Sequence, residues 1–315
     1  MSAVTDSLGR LADAYRHRVI SAATSPFGHA DYPLARSLEY PGDPGLFGPD
    51  SASWRVIGDV AAFVGGIRAL LMQAAHPEVV AGVFDHSRYR EDPLGRLSRT
   101  SAYVTATTYG AMPEVEAAIG VVLGSHRPIR GRSHRGKVYT AGMPVLAAWV
   151  HNALTDSFLV AHQRYGADRL DAVDADRFVA EQTRLGRMLH ADPLPETAPG
   201  LAAWLAEHPD AGTSPGMAEA VSFLKSPPLD SAQRLGYRVL FEAAVATMPP
   251  RITGILGLRP RPGAEASGRA AVGLLRWALG SSPSWHLALV RVGAEIPDGM
   301  FTQPLPLERA GATGR

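Results

Sequence analysis

The spacing of apolar residues constrains the fold most, because it repeatedly follows the three- and four-residue steps of an α-helix. The clearest such face consists of Ile57, Val60, Val64, Ile67 and Leu71. We expect this helix to begin after a cap at Asp50 or Ser51 and to end before His76-Pro77, since proline disfavours helical geometry in the residue before it. No convincing period-two alternation, repeat or low-complexity tract is present. The sequence therefore predicts an all-α protein.

The remaining periodic segments divide the chain into one large helical domain with two extensions. Further helices are predicted over residues 1–20, 77–84, 98–109, 113–123, 144–165, 174–190, 231–247 and 265–279. Residues 25–54 are dense in Pro, Gly and Asp but carry aromatic anchors, which predicts an ordered loop. The polar stretch 124–142 is predicted to be a loop, and 192–215 to be loop-rich with a helical turn around 201–206. We expect an N-terminal helix and extension over 1–40, a single multi-helix domain over 41–294, and an irregular, fraying tail over 295–315.

The composition excludes several kinds of site. The chain has no cysteine, which rules out disulfides, iron–sulfur clusters, thiolate-bound zinc, thiolate-ligated haem and cysteine nucleophiles. A transition metal would therefore depend on the 11 histidines and on carboxylates. With 31 basic and 30 acidic residues the net charge is +1, so binding to nucleic acid or an anionic membrane would need a local patch. No nucleic-acid partner is expected.

The apolar runs are short and interrupted. Near the N-terminus, Arg10, Arg16 and Arg18 break every candidate signal-peptide core. The best candidate for a membrane span, residues 60–75, is too short and contains Arg68 and Gln73. We therefore expect a cytoplasmic protein without integral membrane association.

Arg96, Arg99 and Thr100 form the first constellation that can carry chemistry. The two arginines are three residues apart on a predicted helix, and Thr100 lies one turn after Arg96. Two guanidinium groups and a hydroxyl that face one cavity would bind a carboxylate or an oxygen species. The alternative is a solvated helix start whose arginines form surface salt bridges with Glu91 and Asp92.

Histidines form the second group of candidates. His126 follows Val122 by one turn, so it points into the core if the apolar stripe continues, and an imidazole can ligate haem iron alone. A helix-end histidine favoured by the helix dipole is the alternative. His151 lies on an apolar face and must be hydrogen-bonded or liganded. His76 and His86 lie where two helices are predicted to meet. One of them could line a pocket, and the alternative is a capping or packing role.

No phosphate loop, dinucleotide fingerprint, HExxH motif or nucleophile elbow is present. His76, His86, His126 and His151 could together hold a non-haem iron, but no spacing singles out the carboxylate that such a site usually needs. The residues alone thus predict a helical protein with a pocket rich in histidine and arginine.

At these same residues the chain resembles the family that joins latex-clearing proteins (rubber oxygenases) to the MpaB-type oxygenases. The similar text comprises PGDPGLFGPDSASWRVIGD (41–59), LMQAAHPEVVAGVFDHSRYREDPLGRLSRT (71–100), SHRPIRG (125–131) and YTAGMPVLAAWVHNALTDSF (139–158). Several motifs in the same order are more specific than any one of them. The resemblance is good over residues 40–165 and weaker to about 280.

The resemblance implies a b-type haem inside a helical core distantly similar to that of globins. It implies that His126, in the family's H-x-x-x-R segment that ends here at Arg130, is the proximal iron ligand. His151 is the alternative ligand, and His76 is a pocket or propionate candidate. Arg96, Arg99 and Thr100 match the Arg-x-x-Lys-Thr motif of rubber oxygenases. Arg99 replaces the lysine, and because a guanidinium ligates iron poorly, this argues against polyisoprene cleavage.

The resemblance thus predicts a haem b-dependent oxygenase that uses dioxygen on a small or lipid-like substrate, with an electron donor as a further partner. Two other functions stay open. One is a non-enzymatic haem binder, such as a sensor, carrier or store. The other is a metal-free helical protein that binds an acidic ligand between arginines.

Overall fold

The computed structural model describes residues 2–87 and 90–307, and within them the helical prediction is confirmed. The helices are α1 (Ser2–Thr24), α2 (Ala52–Gly58), α3 (Ala62–Ala74), α4 (Pro77–His86), α5 (Pro93–Tyr109), α6 (Met112–His126), α7 (Pro144–Tyr165), α8 (Ala172–Met188), α9 (Ala198–Glu207), α10 (Pro215–Lys225), α11 (Ser231–Ala246), α12 (Pro250–Ile255), α13 (Ala264–Leu279) and α14 (Pro283–Val292). Short 3-10 helices cover Ser25–Phe27 and Ser37–Glu39. The predicted tail residues 308–315 lie outside the described residues.

The core forms around α3 and α7, which pack along each other. Large apolar side chains of α7, α8, α9 and α11 complete one cluster, with Trp149, Phe178, Leu205 and Phe241 almost fully buried. Between α3 and α7, Arg68 Nη1 donates to Asp156 Oδ2 at 2.6 Å and to Ser157 Oγ at 2.8 Å. Both charged groups are buried, so each depends on the other for compensation.

The prediction of one continuous helix from Ile57 to Leu71 is wrong at one point. In the structure this stretch is divided into α2 and α3, which meet at an angle of 93°. Ser51 does cap α2, where its Oγ accepts from Trp54 N at 3.2 Å. Asp59 ends it, since its carboxylate accepts from Ala61 N at 2.7 Å and from Arg276 at 2.8 Å. These tertiary contacts override a spacing that continues unbroken across the bend.

Residues 25–51 are held as an ordered segment by the C-terminal helix, as the aromatic anchors predicted. Trp54, Tyr109 and Trp285 form a second apolar cluster, against which Tyr32 and Phe47 pack. From α14, the buried Arg291 donates to Ser37 Oγ and to Tyr109 O, each at 2.6 Å. The N-terminal segment is therefore part of the same folded unit as α14.

Two segments differ from their predictions. The stretch 124–142 contains an antiparallel hairpin of β1 (Arg130–Arg132) and β2 (Val138–Thr140), which is too short to show alternation in the sequence. The described part of the tail is irregular but does not fray: Phe301 stacks on His286 at 4.7 Å between centroids, and Gln303 Nε2 donates to Leu279 O at 3.0 Å. Helices α10, α12 and α14 had no prediction.

No single described helix is long and apolar enough to cross a membrane; α2 and α3 meet the length and composition requirement only as a bent pair.

Candidate active site

A central cavity of about 990 Å³ lies beside α3 and is the candidate active site. Its wall is mostly apolar and comes from α1, α2, α3, α4, α5, α7, α10, α11 and α13. From α3 it receives Phe63, Gly66, Ile67 and Leu70, and from α7 it receives Leu154 and Phe158. A cavity of this size and character is typical of sites for a small organic molecule or a cofactor.

The wall contributed by α5 is the polar part that the sequence predicted. Asp92 caps α5 by accepting from Gly95 N at 3.0 Å, and Pro93 occupies the first turn. Arg96 and Thr100 are therefore one helical turn apart, and both are half-buried and line the cavity. Thr100 Oγ1 donates to Arg96 O at 3.0 Å, so this hydroxyl can accept from a ligand without leaving the helix.

Arg99 does not share that wall. Its guanidinium donates to Asp92 Oδ2 at 3.0 Å, and the side chain is 57% exposed. The hydrogen bond from Arg99 is the main cause of a lowered pKa for the Asp92 carboxyl. The surface ion pair considered as the alternative is thus what the structure shows for Arg99, whereas Arg96 and Thr100 face the cavity.

His126 ends α6 and is half-buried, and burial lowers its pKa. The buried residues of this helix, Val115 and Ile119, pack against Leu46 and Leu185 in a third apolar cluster. That cluster is separate from the one around the central cavity. Among the residues described, His126 is not part of the cavity wall, so the structure does not bring it together with Arg96 and Thr100.

His151 is a buried side chain of α7 with a backbone partner. Its Nε2 donates to Gln182 O at 2.9 Å, and burial lowers its pKa to about 4, which keeps the imidazole neutral. The ring also abuts α8, because a Cβ built on Gly186 would lie 2.9 Å from His151 Cδ2. This geometry favours a packing role for His151 over iron ligation.

Neither His76 nor Arg130 is among the residues that line the cavity. His76 precedes α4, with its ring 5.3 Å from that of Trp149 and 5.6 Å from that of His208. Its Nδ1 is 3.5 Å from Glu78 Oε2, and burial lowers its pKa to about 4. Arg130 lies on β1 with an exposed side chain, and its carbonyl oxygen is 3.1 Å from His86 Nε2.

Sequence reasoning missed a charged cluster that surrounds His76. Buried Glu78 accepts from Ser133 Oγ at 2.7 Å and from Arg135, which fastens the β1–β2 hairpin to α4. Asp210, beside His208, pairs with Lys137. The partners in each of these pairs are 55 or more positions apart in the chain, so no local spacing in the sequence could have identified them.

The histidines considered for a non-haem iron site do not assemble. Over residues 2–87 and 90–307, no group of three or more His, Asp or Glu side chains is arranged to hold a metal ion.

Comparison with known proteins assigns the chain to a protein family. Residues 54–277 match the family described as ER-bound oxygenase mpaB/B'/Rubber oxygenase, catalytic domain. The chain belongs to this family. No curated protein matched in the sequence search, and no solved structure matched in the structural search. The match confirms the resemblance stated from the sequence, and it covers most of the residues that line the central cavity, except those of α1, of the 3-10 helix that follows it and of the segments after residue 278.

Haem b, which the family resemblance implies, fits the described residues only in part. The cavity has the volume and the apolar wall that a macrocycle needs, and Arg96 and Thr100 supply polar contacts. Within the described lining, however, there is no histidine, so this wall offers no imidazole to an iron. The residues that line the cavity therefore do not complete a haem site.

Proposed function

We propose that this member of the mpaB/rubber oxygenase family is an oxygenase that uses dioxygen to oxidise a small or lipid-like substrate held in the central cavity. The observation that carries the proposal is a cavity of about 990 Å³, mostly apolar, whose wall comes largely from the region that matches an oxygenase catalytic domain. The proposal includes haem b as cofactor, an electron donor as partner, and a cytoplasmic location.

In the cavity, we expect Arg96 to make the strongest polar interaction with the oxygen or the substrate. Its guanidinium is a permanent positive charge at an apolar wall, where interactions with negative charge on oxygen are strong. Thr100 supplies an acceptor beside it. We derive no step through a haem, because the described wall lacks an iron ligand.

A UV–visible spectrum and a pyridine haemochrome assay on protein expressed with a haem precursor test the cofactor. Haem b close to one per chain supports the proposal. The variants His126→Ala and His151→Ala then identify the ligand: loss of haem in the first alone supports His126. Unchanged haem content in His126→Ala would refute that assignment.

Oxygen consumption separates an enzyme from a haem carrier. A haem-loaded protein that consumes oxygen faster on addition of an apolar alkene or lipid acts as an oxygenase. Haem-loaded protein that shows no substrate-dependent consumption across such compounds would overturn the enzymatic part.

A second candidate function is a metal-free protein that binds an acidic apolar ligand, and one observation favours it. The cavity wall carries Arg18 and Arg96 but, among its described residues, no histidine. A colourless protein that rejects added haemin but binds a fluorescent long-chain carboxylate would establish this function in place of the oxygenase. Arg96→Met should then weaken binding of the carboxylate more than binding of the matching alcohol.

A further inference from the structure

The central cavity opens to solvent between α1, α11 and α13. Most of its wall is buried or half-buried, but Tyr15, Leu235 and Leu274 line it and are also 52%, 66% and 38% exposed. Each belongs to a different one of the three helices, which contact one another. Wall residues that are this exposed mark the mouth of the cavity.

Exposed apolar side chains surround this mouth. Leu11 lies one turn before Tyr15 on α1 and is 68% exposed. Trp277 lies one turn after Leu274 on α13 and is 45% exposed. The rings of Tyr15 and Trp277 are in contact, with centroids 6.3 Å apart. We call Leu11, Tyr15, Leu235, Leu274 and Trp277 the mouth surface.

The charges around the mouth surface are predominantly positive. Arg18 shares the α1 face of Leu11 and Tyr15, and Arg238 follows Leu235 by one turn on α11; both are exposed. Neither forms an ion pair with any residue in the described ranges.

The nearby acidic groups do not cancel this charge. Asp13 is two residues from both Leu11 and Tyr15, which places it on the opposite side of α1. On α11, Glu242 pairs with Arg261 at 3.2 Å, and on α13, Glu265 pairs with Arg269 at 3.5 Å.

We propose that the mouth surface docks on an anionic lipid bilayer, so that the central cavity opens directly toward the acyl chains. Tyrosine and tryptophan favour the boundary between lipid and water, because each has an apolar body and a polar group. Arginines beside an apolar helix face add attraction to anionic headgroups. The inference uses the cavity of the proposed function but not its chemistry.

The position of the mouth surface directly at the opening of the cavity supports a bilayer as the occupant. The apolar residues continue from the rim into the cavity wall, so an apolar molecule can pass from lipid into the cavity without crossing water. The net charge of the chain is only +1, which makes binding to anionic lipid depend on this local patch.

Co-sedimentation of the full chain with vesicles tests the proposal. We expect stronger binding to phosphatidylcholine vesicles that contain phosphatidylglycerol than to phosphatidylcholine alone, and weaker binding at high salt. Leu11→Glu should lower the partition coefficient about tenfold or more. Arg238→Gln should lower it about fivefold.

Matched controls lie on α8. Val173→Glu introduces the same charge at an apolar side chain that is 75% exposed but on a different part of the surface, and Arg184→Gln removes one exposed positive charge there. Neither should change binding. Equal losses in the control and mouth variants, or equal binding to neutral and anionic vesicles, would overturn the proposal.

Fluorescence gives a second measurement that does not depend on altered charge. Of the five tryptophans, Trp277 is the exposed one, while the others are buried or half-buried. Lipids brominated on the acyl chain should quench part of the emission, and Trp277→Phe should remove that part. Emission that brominated lipid leaves unchanged would contradict docking through this surface.

The other possible occupant is a second copy of the chain. Sedimentation velocity without lipid, over a range of protein concentrations, distinguishes it. Self-association that Leu11→Glu abolishes would assign the mouth surface to a dimer and overturn the membrane proposal. Haem content and substrate-dependent oxygen consumption would be unaffected by either result, so failure here is separate from failure of the proposed function.

Discussion

The two faces of α3 differ in what they contact. One face, with Gly65 and Arg68, packs directly on α7. The other, with Phe63, Gly66 and Leu70, lines the central cavity. The neighbouring glycines show the contrast: a Cβ on Gly65 would meet Phe158 Cδ1 at 2.8 Å, whereas a Cβ on Gly66 would meet nothing within 4 Å.

The difference separates what holds the fold from what is available for function. On the packed face, glycine permits close approach of two helices, and a buried ion pair is fully compensated. On the cavity face, apolar side chains surround space that a ligand can fill. Substitutions on the two faces should therefore have opposite consequences.

The largest effect is expected from breaking the ion pair on the packed face. Asp156→Ala leaves the buried Arg68 without its carboxylate, which should lower the free energy of unfolding by about 3–5 kcal/mol. Urea denaturation measures it. Asp174→Ala is the control, because its partner Arg55 is 44% exposed and the loss should stay below about 1 kcal/mol. Similar losses in both variants would contradict the importance of the Arg68–Asp156 pair.

A pH effect of similar size is expected from the buried histidines on the packed side. The pKa of His151 is about 4 in the folded protein, against an ordinary value of about 6.5. The unfolded chain therefore takes up the proton first as the pH falls. The contribution to stability is complete above about pH 6.5 and is lost on acidification toward pH 4, by about 3 kcal/mol.

His76 shifts in the same direction and adds to this dependence. Unfolding free energies measured from pH 7 to pH 4 check it. His151→Gln should flatten the curve. A curve for His151→Gln parallel to that of the unaltered protein would show that folding does not lower the pKa of His151.

The pair of glycines gives the sharpest test of the comparison. Gly65→Ala should destabilise by about 1–3 kcal/mol, since the methyl group collides with Phe158 and with the backbone of α7. Gly66→Ala should stabilise by up to about 1 kcal/mol, because alanine favours the helix and meets no neighbour. Thermal unfolding of the two variants in parallel decides it, and destabilisation by Gly66→Ala would mean that the cavity face is packed.

The smallest effect is expected at Arg99, which belongs to neither face. Arg99→Ala removes an exposed ion pair with Asp92 and should change stability by less than about 1 kcal/mol. Ligand binding in the cavity should be unaffected, whereas Arg96→Met should weaken it for acidic ligands. Titration of both variants with a fluorescent fatty acid compares them. Equal weakening would place Arg99 in the site.

The sequence predicts this fold well where local chemistry determines it. Residues 144–165 form one helix as the periodicity indicates, and Ser51 caps α2. It fails where distant contacts decide. The bend at Asp59 depends on Arg276, more than 200 residues away, and the apolar spacing runs through it without interruption.

For the candidate site too, the sequence predicted the local arrangement of residues but not their tertiary surroundings. The turn of helix between Arg96 and Thr100 placed both on one wall, but the i,i+3 spacing of Arg96 and Arg99 did not separate the cavity from the surface. Which face of α5 meets a cavity depends on α3, α10 and α11, whose positions no local pattern gives. The same holds for His151, whose partner Gln182 lies on another helix.

Gly66 also has a consequence for how the sequence can vary. A glycine inside a helix, with room for a side chain and no backbone requirement, lowers stability and preserves space. Larger residues there should be enriched in a library selected for thermal resistance. They should be depleted in a library selected for turnover, because each added carbon occupies volume that the substrate needs. At this one position, opposing selections would reveal a trade-off between stability and activity.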